Sequence, residues 1–328
     1  MYSETKPQPE PCLNIYLNKQ AECANTRLLI TTTNESVMIN QQQKKEITWH
    51  LQNYVASFPS QRQAANSLTD VSESTIIQVC NNRWDAISER MWMSIAKQIG
   101  VGNKSIEPVE TLDFNTLILY YSIAKEEGAT FAITGGAGFG KSFSGRWFAA
   151  NNRSNNVYYI ECAQYWNKKM FLSNILQTMG KEYAGMNVGE LMETIIGELR
   201  KQPCPLIILD EIDKLSDPVL TFFITLYNDL NGMCGFVWTS TNNIQKRIRK
   251  GLSLNKTGYQ EVFSRIGSRF IELHGTTPDE VRNICHANGI TDAEDIARIV
   301  NEYNGDLRRV ERNLLKHRVK SFKTKKAA

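Results

Sequence analysis

Residues Phe131 to Ala150 read FAITGGAGFGKSFSGRWFAA, and this stretch restricts the possible folds more than any other part of the chain. Gly135, Gly136, Ala137, Gly138, Phe139, Gly140, Lys141 and Ser142 satisfy G-x-x-x-x-G-K-[ST], a loop whose backbone N–H groups wrap phosphates. The apolar ATFAITG segment predicts a strand running into the loop, and SFSGRWFAANN predicts a helix leaving it. A strand handed through such a loop to a helix implies a parallel sheet covered by helices on both faces. The glycines admit backbone to the phosphates, the helix N-terminus adds its dipole, and Lys141 neutralises the outer phosphates. Ser142 is expected to ligate Mg2+ through its hydroxyl, and Phe143 completes the nucleotide-binding set in the first helical turn.

The segment from Ile106 to Leu273 continues this α/β pattern. VYYIECA, PLIILD, GFVWTST and RFIELHG read as further strands, most of them separated by helical stretches. At the end of PLIILDE, Asp210 is expected to hold the magnesium shell and Glu211 to orient the attacking water. Asp213, in DEIDKL, reads as a helix-start acid and stands outside that catalytic set.

Both flanks are helical. Residues 1–45 are poor in pattern, with polar tracts such as TTTNES and NQQQKKE, and read as a disordered extension, order beginning near Met38. Over residues 46–102, Ile47, Leu51, Tyr54, Val55 and Phe58 share one helical face up to Pro59. A short helix SQRQAANSL, a tight TDV and a second helix ESTIIQVCNN capped by Ser72 make a helix-turn-helix pattern of the phage-repressor type. The usual turn glycine is missing, its place taken by Thr69-Asp70. VGNKSIEP reads as the linker to the α/β unit, residues 103–275. Beyond it, Thr277-Pro278-Asp279-Glu280 and Thr291-Asp292-Ala293-Glu294 read as capping boxes, and Asn288-Gly289 and Asn304-Gly305 as helix stops. Residues 276–316 therefore read as three short helices, followed by a basic tail, 317–328.

Composition excludes several alternatives. No apolar run approaches the ~18 residues of a spanning helix, so no membrane partner is expected. The seven cysteines are scattered without a C-x-x-C pair, which reads as reduced thiols in a cytoplasmic protein. A net charge of +4 is too mild to indicate nucleic acid by itself.

Taken in order, GGAGFGKS, LIILDEIDKL, the polar TSTNN, FSRIGSRF and GDLRRVERNLLK resemble an AAA+ ATPase over roughly residues 105–316. The resemblance implies ATP as nucleotide and a helical lid on a P-loop sheet. It also implies Asn242 as the sensor reaching the γ-phosphate and Arg269 as an arginine finger donated to a neighbouring subunit. Arg265 is the competitor for the finger, and Arg308 resembles the lid's nucleotide-sensing arginine. With a repressor-like domain in front, the chain is similar to the phage Mu type of transposition ATPase. That family implies largely non-specific binding to double-stranded DNA, ATP-dependent homo-oligomers (filaments or rings) and delivery of target DNA to a transposase. A helicase loader and an ATP-gated transcription regulator are the alternative readings.

Charge placement bears on the same question. Lys246, Arg247, Arg249 and Lys250 lie in an acid-free run, and Lys168 and Lys169 follow Trp166 directly after the second strand. KHRVKSFKTKKAA adds six Lys or Arg and no acid. Such clusters suit phosphate contacts, which give affinity without reading sequence. On the second helix of the helix-turn-helix, Ser74, Gln78 and Asn81 are the exposed residues expected to reach DNA base edges.

Overall fold

The computed structural model describes residues 39–101, 107–152 and 156–327, from residue 319 by backbone alone. Most of the extension expected over 1–45, the Met38 start and most of the linker fall outside these residues.

The first described helix, α1 (Gln41–Ala56), starts earlier than the sequence pattern suggests. The polar NQQQKKE tract is helical because Asn40 and Gln43 cap each other reciprocally, each side chain accepting from the other's backbone N–H. Helices α2 (Gln61–Asn66) and α3 (Glu73–Cys80) follow, and α4 (Glu89–Gln98) closes the group. Ile47, Leu51, Ala64, Ala65, Ile76, Val79, Trp92 and Ile95 form its core. The missing turn glycine is replaced by Asp70, which takes φ +56° itself. Aspartate tolerates the left-handed region better than most residues, since its short polar side chain bonds locally.

The central layer is a five-stranded parallel sheet in the order β2-β3-β4-β1-β5. The strands are β1 (Thr130–Thr134), β2 (Val157–Glu161), β3 (Leu206–Asp210), β4 (Gly235–Ser240) and the short β5 (Ile271–Glu272). In β3 every residue is buried, because alternate side chains enter opposite cores. Ile207 and Leu209 join α7 (Lys168–Thr178), α8 (Val188–Arg200) and α10 (Phe223–Leu230) on one face. Leu206 and Ile208 join α5 (Leu112–Glu127) and α6 (Lys141–Asn151) on the other. A 3-10 turn (Ile212–Lys214) and the single-turn α9 (Asp217–Leu220) follow β3, while α11 (Asn243–Ser253) and α12 (Tyr259–Arg265) lie between β4 and β5.

The lid consists of α13 (Pro278–Ala287), α14 (Ala293–Glu302) and α15 (Leu307–Ala327) around Val281, Ile284, Ile296, Ile299, Val310 and Leu314. Thr277 and Glu280 form the expected capping box. The second box is displaced by one residue: Asp292 caps α14, accepting from the Asp295 N–H. The third lid helix is not short, and no break separates it from the basic tail, since α15 continues to Ala327. No Gly or Pro interrupts LRRVERNLLKHRVKSFKTKKA, so nothing in the backbone stops the helix at residue 316.

Among the described residues no helix is long and apolar enough to cross a membrane. The described cysteines, Cys80, Cys162, Cys204, Cys234 and Cys285, are all free.

Candidate nucleotide-binding site

The glycine loop turns from β1 into α6. Gly138 and Gly140 take φ +82° and +83°, a conformation that leaves no room for a Cβ without strain. The Phe139 ring folds back onto the glycines; a Cβ at Gly136 or Gly275 would lie 2.7 or 2.9 Å from it. The Phe139 side chain therefore packs against the loop's own glycines and against Gly275. Lys141 is buried, and its Nζ donates to the carbonyls of Gly135 and Gly136 at 2.8 Å each. Burial pushes its pKa below the ordinary lysine value; Asp210 and Asp213 pull it upward and Arg308 adds to the push. A lysine held this way is a fixed positive point at the base of the loop.

Opposite it, Asp210 ends β3 with 1% exposure. Its Oδ1 accepts from the Thr239 hydroxyl at 2.6 Å and from the Glu211 N–H at 2.9 Å. Its Oδ2 accepts from the Tyr159 hydroxyl, also at 2.6 Å. Burial, then the charge of Asp210, drives the Tyr159 pKa far up, so the phenol stays a protonated donor. This carboxylate is oriented from both sides, and sequence reasoning missed both hydroxyls. It also undervalued Asp213, whose Oδ2 accepts from the Thr241 hydroxyl at 2.7 Å and so ties the 3-10 turn to the end of β4.

Asp210 and Ser142 offer the hard oxygen donors that suit magnesium, and a carboxylate this buried fits a role beside a cation. Asp210 and Ser142 would hold the ion, which when bound supplies charge neutralisation at the outer phosphates.

Glu211 takes φ +54° just past β3, and its carboxylate pairs with Lys214. Asn242 is exposed at the N-terminus of α11, beside the Thr241–Asp213 contact. The lid reaches the loop directly: the Leu307 N–H donates to the Gly138 carbonyl at 3.1 Å. The Arg308 N–H donates to Asp306 Oδ1 at 2.9 Å, which caps the start of α15. The structure thus brings Gly135–Ser142, Asp210, Glu211 and Arg308 to one end of the sheet, and adds Asp306, Tyr159 and Thr239 to them.

The two finger candidates differ in freedom. Arg265 is tied down: Nε and Nη2 donate to Asn228 Oδ1 at 3.0 and 2.9 Å, and its guanidinium lies 5.6 Å from the Tyr227 ring centre. Arg269 is exposed and, among the described residues, has no side-chain partner.

One DNA-contact expectation needs correction. Arg247 is half-buried and turned inward onto Asp217, Tyr259 and two backbone carbonyls, so it is not a phosphate contact. Its neighbours Lys246, Arg249 and Lys250 are exposed, because on α11 they lie away from the buried Ile244 and Ile248. Lys168 and Lys169 are exposed at the start of α7, with Lys168 4.8 Å over the Phe222 ring. On α3, Ser74 and Asn81 are exposed and Gln78 is half-buried.

A glycine loop with a buried lysine, faced by a strand-end acid and touched by the C-terminal helices, defines a class of site: a phosphate-binding loop at one end of a parallel α/β sheet. Residues 125–248 match the family model described as an AAA domain. No curated protein matches the chain. Among solved structures, NtrX from Brucella abortus in complex with ATP is similar at 14% identity and a TM-score of 0.43, over 73% of this chain and 58% of that one. A second NtrX structure from Brucella abortus gives 14% and 0.42, over 75% and 57%. The matched region spans less than two thirds of the NtrX chain, and the likeness is too slight to transfer anything from NtrX.

Proposed function

We propose that this protein is a DNA-bound ATPase switch for transposition: it assembles with ATP on double-stranded DNA and presents that DNA to a transposase. The observation that supports the reading is the packing of the N-terminal helical unit, which the sequence reads as a helix-turn-helix, against the α/β core. Arg62 on α2 pairs with Glu182, and the Gln177 amide donates to the Thr69 hydroxyl at 3.4 Å. Gly180 lies so near α2 that a Cβ there would stand 2.3 Å from the Gln63 carbonyl oxygen. At the other end of α7, Lys168 and Lys169 offer phosphate contacts, joined by Lys246, Arg249 and Lys250 from α11. Contacts of this kind favour DNA without choosing a sequence. ATP held by the loop and lid is hydrolysed with Glu211 orienting water, and Arg269 reaches the site of the adjoining subunit.

Electron microscopy of the full chain with ATP and random-sequence duplex is the test. Filaments that form on any duplex with ATP, and not with ADP, support the proposal. A small oligomer that binds one operator sequence refutes it and favours the regulator reading.

A further inference from the structure

Arg247 was expected at the DNA surface, and its actual position suggests another task. It lies one turn into α11, directly after the Thr241–Asn242 corner. Its Nη1 donates to the Leu215 carbonyl at 2.6 Å and the Asp213 carbonyl at 3.3 Å. Its Nε reaches Asp217 Oδ1 at 3.0 Å and the Tyr259 hydroxyl at 3.2 Å. Tyr259 in turn donates to the same Asp217 oxygen at 2.7 Å. One planar guanidinium therefore joins three segments: the acidic turn after β3, α11, and the first residue of α12.

Tyr259 is 2% exposed, and its ring lies against Gly251 of α11, where a Cβ would come within 2.2 Å. The start of α12 is thus fixed by the staple and by this close crossing. The other end of α12 leads through Gly267 and Ser268, at φ +78° and +56°, to the exposed Arg269, and then to β5. On the nucleotide side, the stapled turn carries Asp213, which is bonded to Thr241 and acts electrostatically on Lys141.

We propose that Arg247 is a positioning residue for the arginine finger: it fixes α12, and through α12 Arg269, relative to the turn that follows Asp210. This rests on the reading that Arg269 serves the neighbouring subunit's nucleotide. Arginine suits the position because a rigid fork can meet two carbonyls, a carboxylate and a phenol together; a lysine ammonium presents a point charge without that geometry.

The prediction follows from where the damage falls. A subunit with Arg247→Met keeps its own nucleotide site and loses its well-placed finger. ATP KM should stay within about twofold while kcat falls on the order of a hundredfold, the size expected for a catalytic group displaced by about 1 Å. Arg247→Lys should not restore kcat. Tyr259→Phe, which keeps the ring and removes the hydroxyl, should show a smaller kcat defect of the same kind.

Subunit mixing separates this role from a merely structural one. Glu211→Gln subunits carry an intact finger and a dead site. Mixed with Arg247→Met or Tyr259→Phe subunits they should restore activity, as they should with Arg269→Ala subunits. Arg247→Met mixed with Arg269→Ala should give no rescue, since neither donates a competent finger. Rescue by Arg269→Ala but not by Glu211→Gln would overturn the proposal by placing Arg247 in its own subunit's site. Rescue by neither partner, for both Arg247→Met and Tyr259→Phe, would reduce the staple to a structural role and overturn the proposal. Failure of the Arg269→Ala with Glu211→Gln pair would overturn the neighbouring-subunit reading itself, and this proposal with it.

Discussion

Gly138 is the residue at which the nucleotide loop and the lid are most tightly joined, and Gly138→Ala should uncouple them. Its φ of +82° lies in the left-handed region, where an alanine costs roughly 1–2 kcal/mol. The added Cβ would also lie 1.9 Å from Asp306 Oδ1 and 2.9 Å from Asp306 Cα, so the lid must move. The variant loop can relax by leaving the cradle geometry, and ATP must then restore that geometry to bind. The backbone cost alone corresponds to about a 5–30-fold weaker Kd, and displacement of the lid adds to it. Isothermal titration of ATP measures the loss, with circular dichroism confirming the fold. Asp306→Ala removes the carboxylate contact but keeps the left-handed strain and the approach to Cα. In that background Gly138→Ala should therefore lose part, not all, of its effect, a coupling on the order of 0.5 kcal/mol or more. Wild-type affinity in Gly138→Ala would refute the argument from backbone strain. Strict additivity with Asp306→Ala would refute the lid contact.

Tyr159→Phe removes the hydroxyl that Asp210 Oδ2 accepts and leaves a buried carboxylate oxygen without that donor. Denaturant unfolding should show a loss of about 1–3 kcal/mol, and an unchanged midpoint and slope would contradict it. Gly180→Ala combines φ +71° with a Cβ 2.3 Å from the Gln63 carbonyl oxygen, so the N-terminal helices should separate from the core. Small-angle X-ray scattering should then report a larger radius of gyration, and an unchanged value would place the domain contact elsewhere. The Tyr259 hydroxyl, followed by Arg247, holds the Asp217 carboxyl below its usual value, burial opposing them. Its folded pKa therefore lies below an unfolded value near ~3.9, so its stabilisation is complete above that and lost as pH falls through the folded value. Asp217→Asn should lower stability at neutral pH and flatten the acid limb below about pH 4; an unchanged acid limb would show that the staple is not electrostatic.

Much of the architecture was legible because it is written in short-range patterns. The β1–loop–α6 unit is contiguous, and the strand PLIILD shows its two-sided burial by being apolar throughout. Caps at Ser72 and Thr277 are likewise local, since each side chain bonds an N–H three residues on. Local signals failed where two close alternatives competed, as at Asp292, where the cap moved by one residue, and at Gln41, where reciprocal side-chain bonds made a helix of a polar tract.

The sequence by itself determined the phosphate loop, the acid pair at the end of β3 and the helical character of both flanks. Each depends on residues adjacent in the chain or spaced by one helical turn. The tertiary structure decided which polar groups meet. Tyr159 reaches Asp210 across 51 residues, Thr239 reaches it across 29, and Arg247 reaches Asp217 across 30. Parallel pairing of β2 with β3 and β3 with β4 brings those groups to the same end of the sheet. A basic run in the sequence carries no mark of which side chain will turn inward. On α11 the helical period commits Ile244 and Ile248 to the core, and Arg247, beside Ile248, points toward the acidic turn while Lys246, Arg249 and Lys250 remain in solvent.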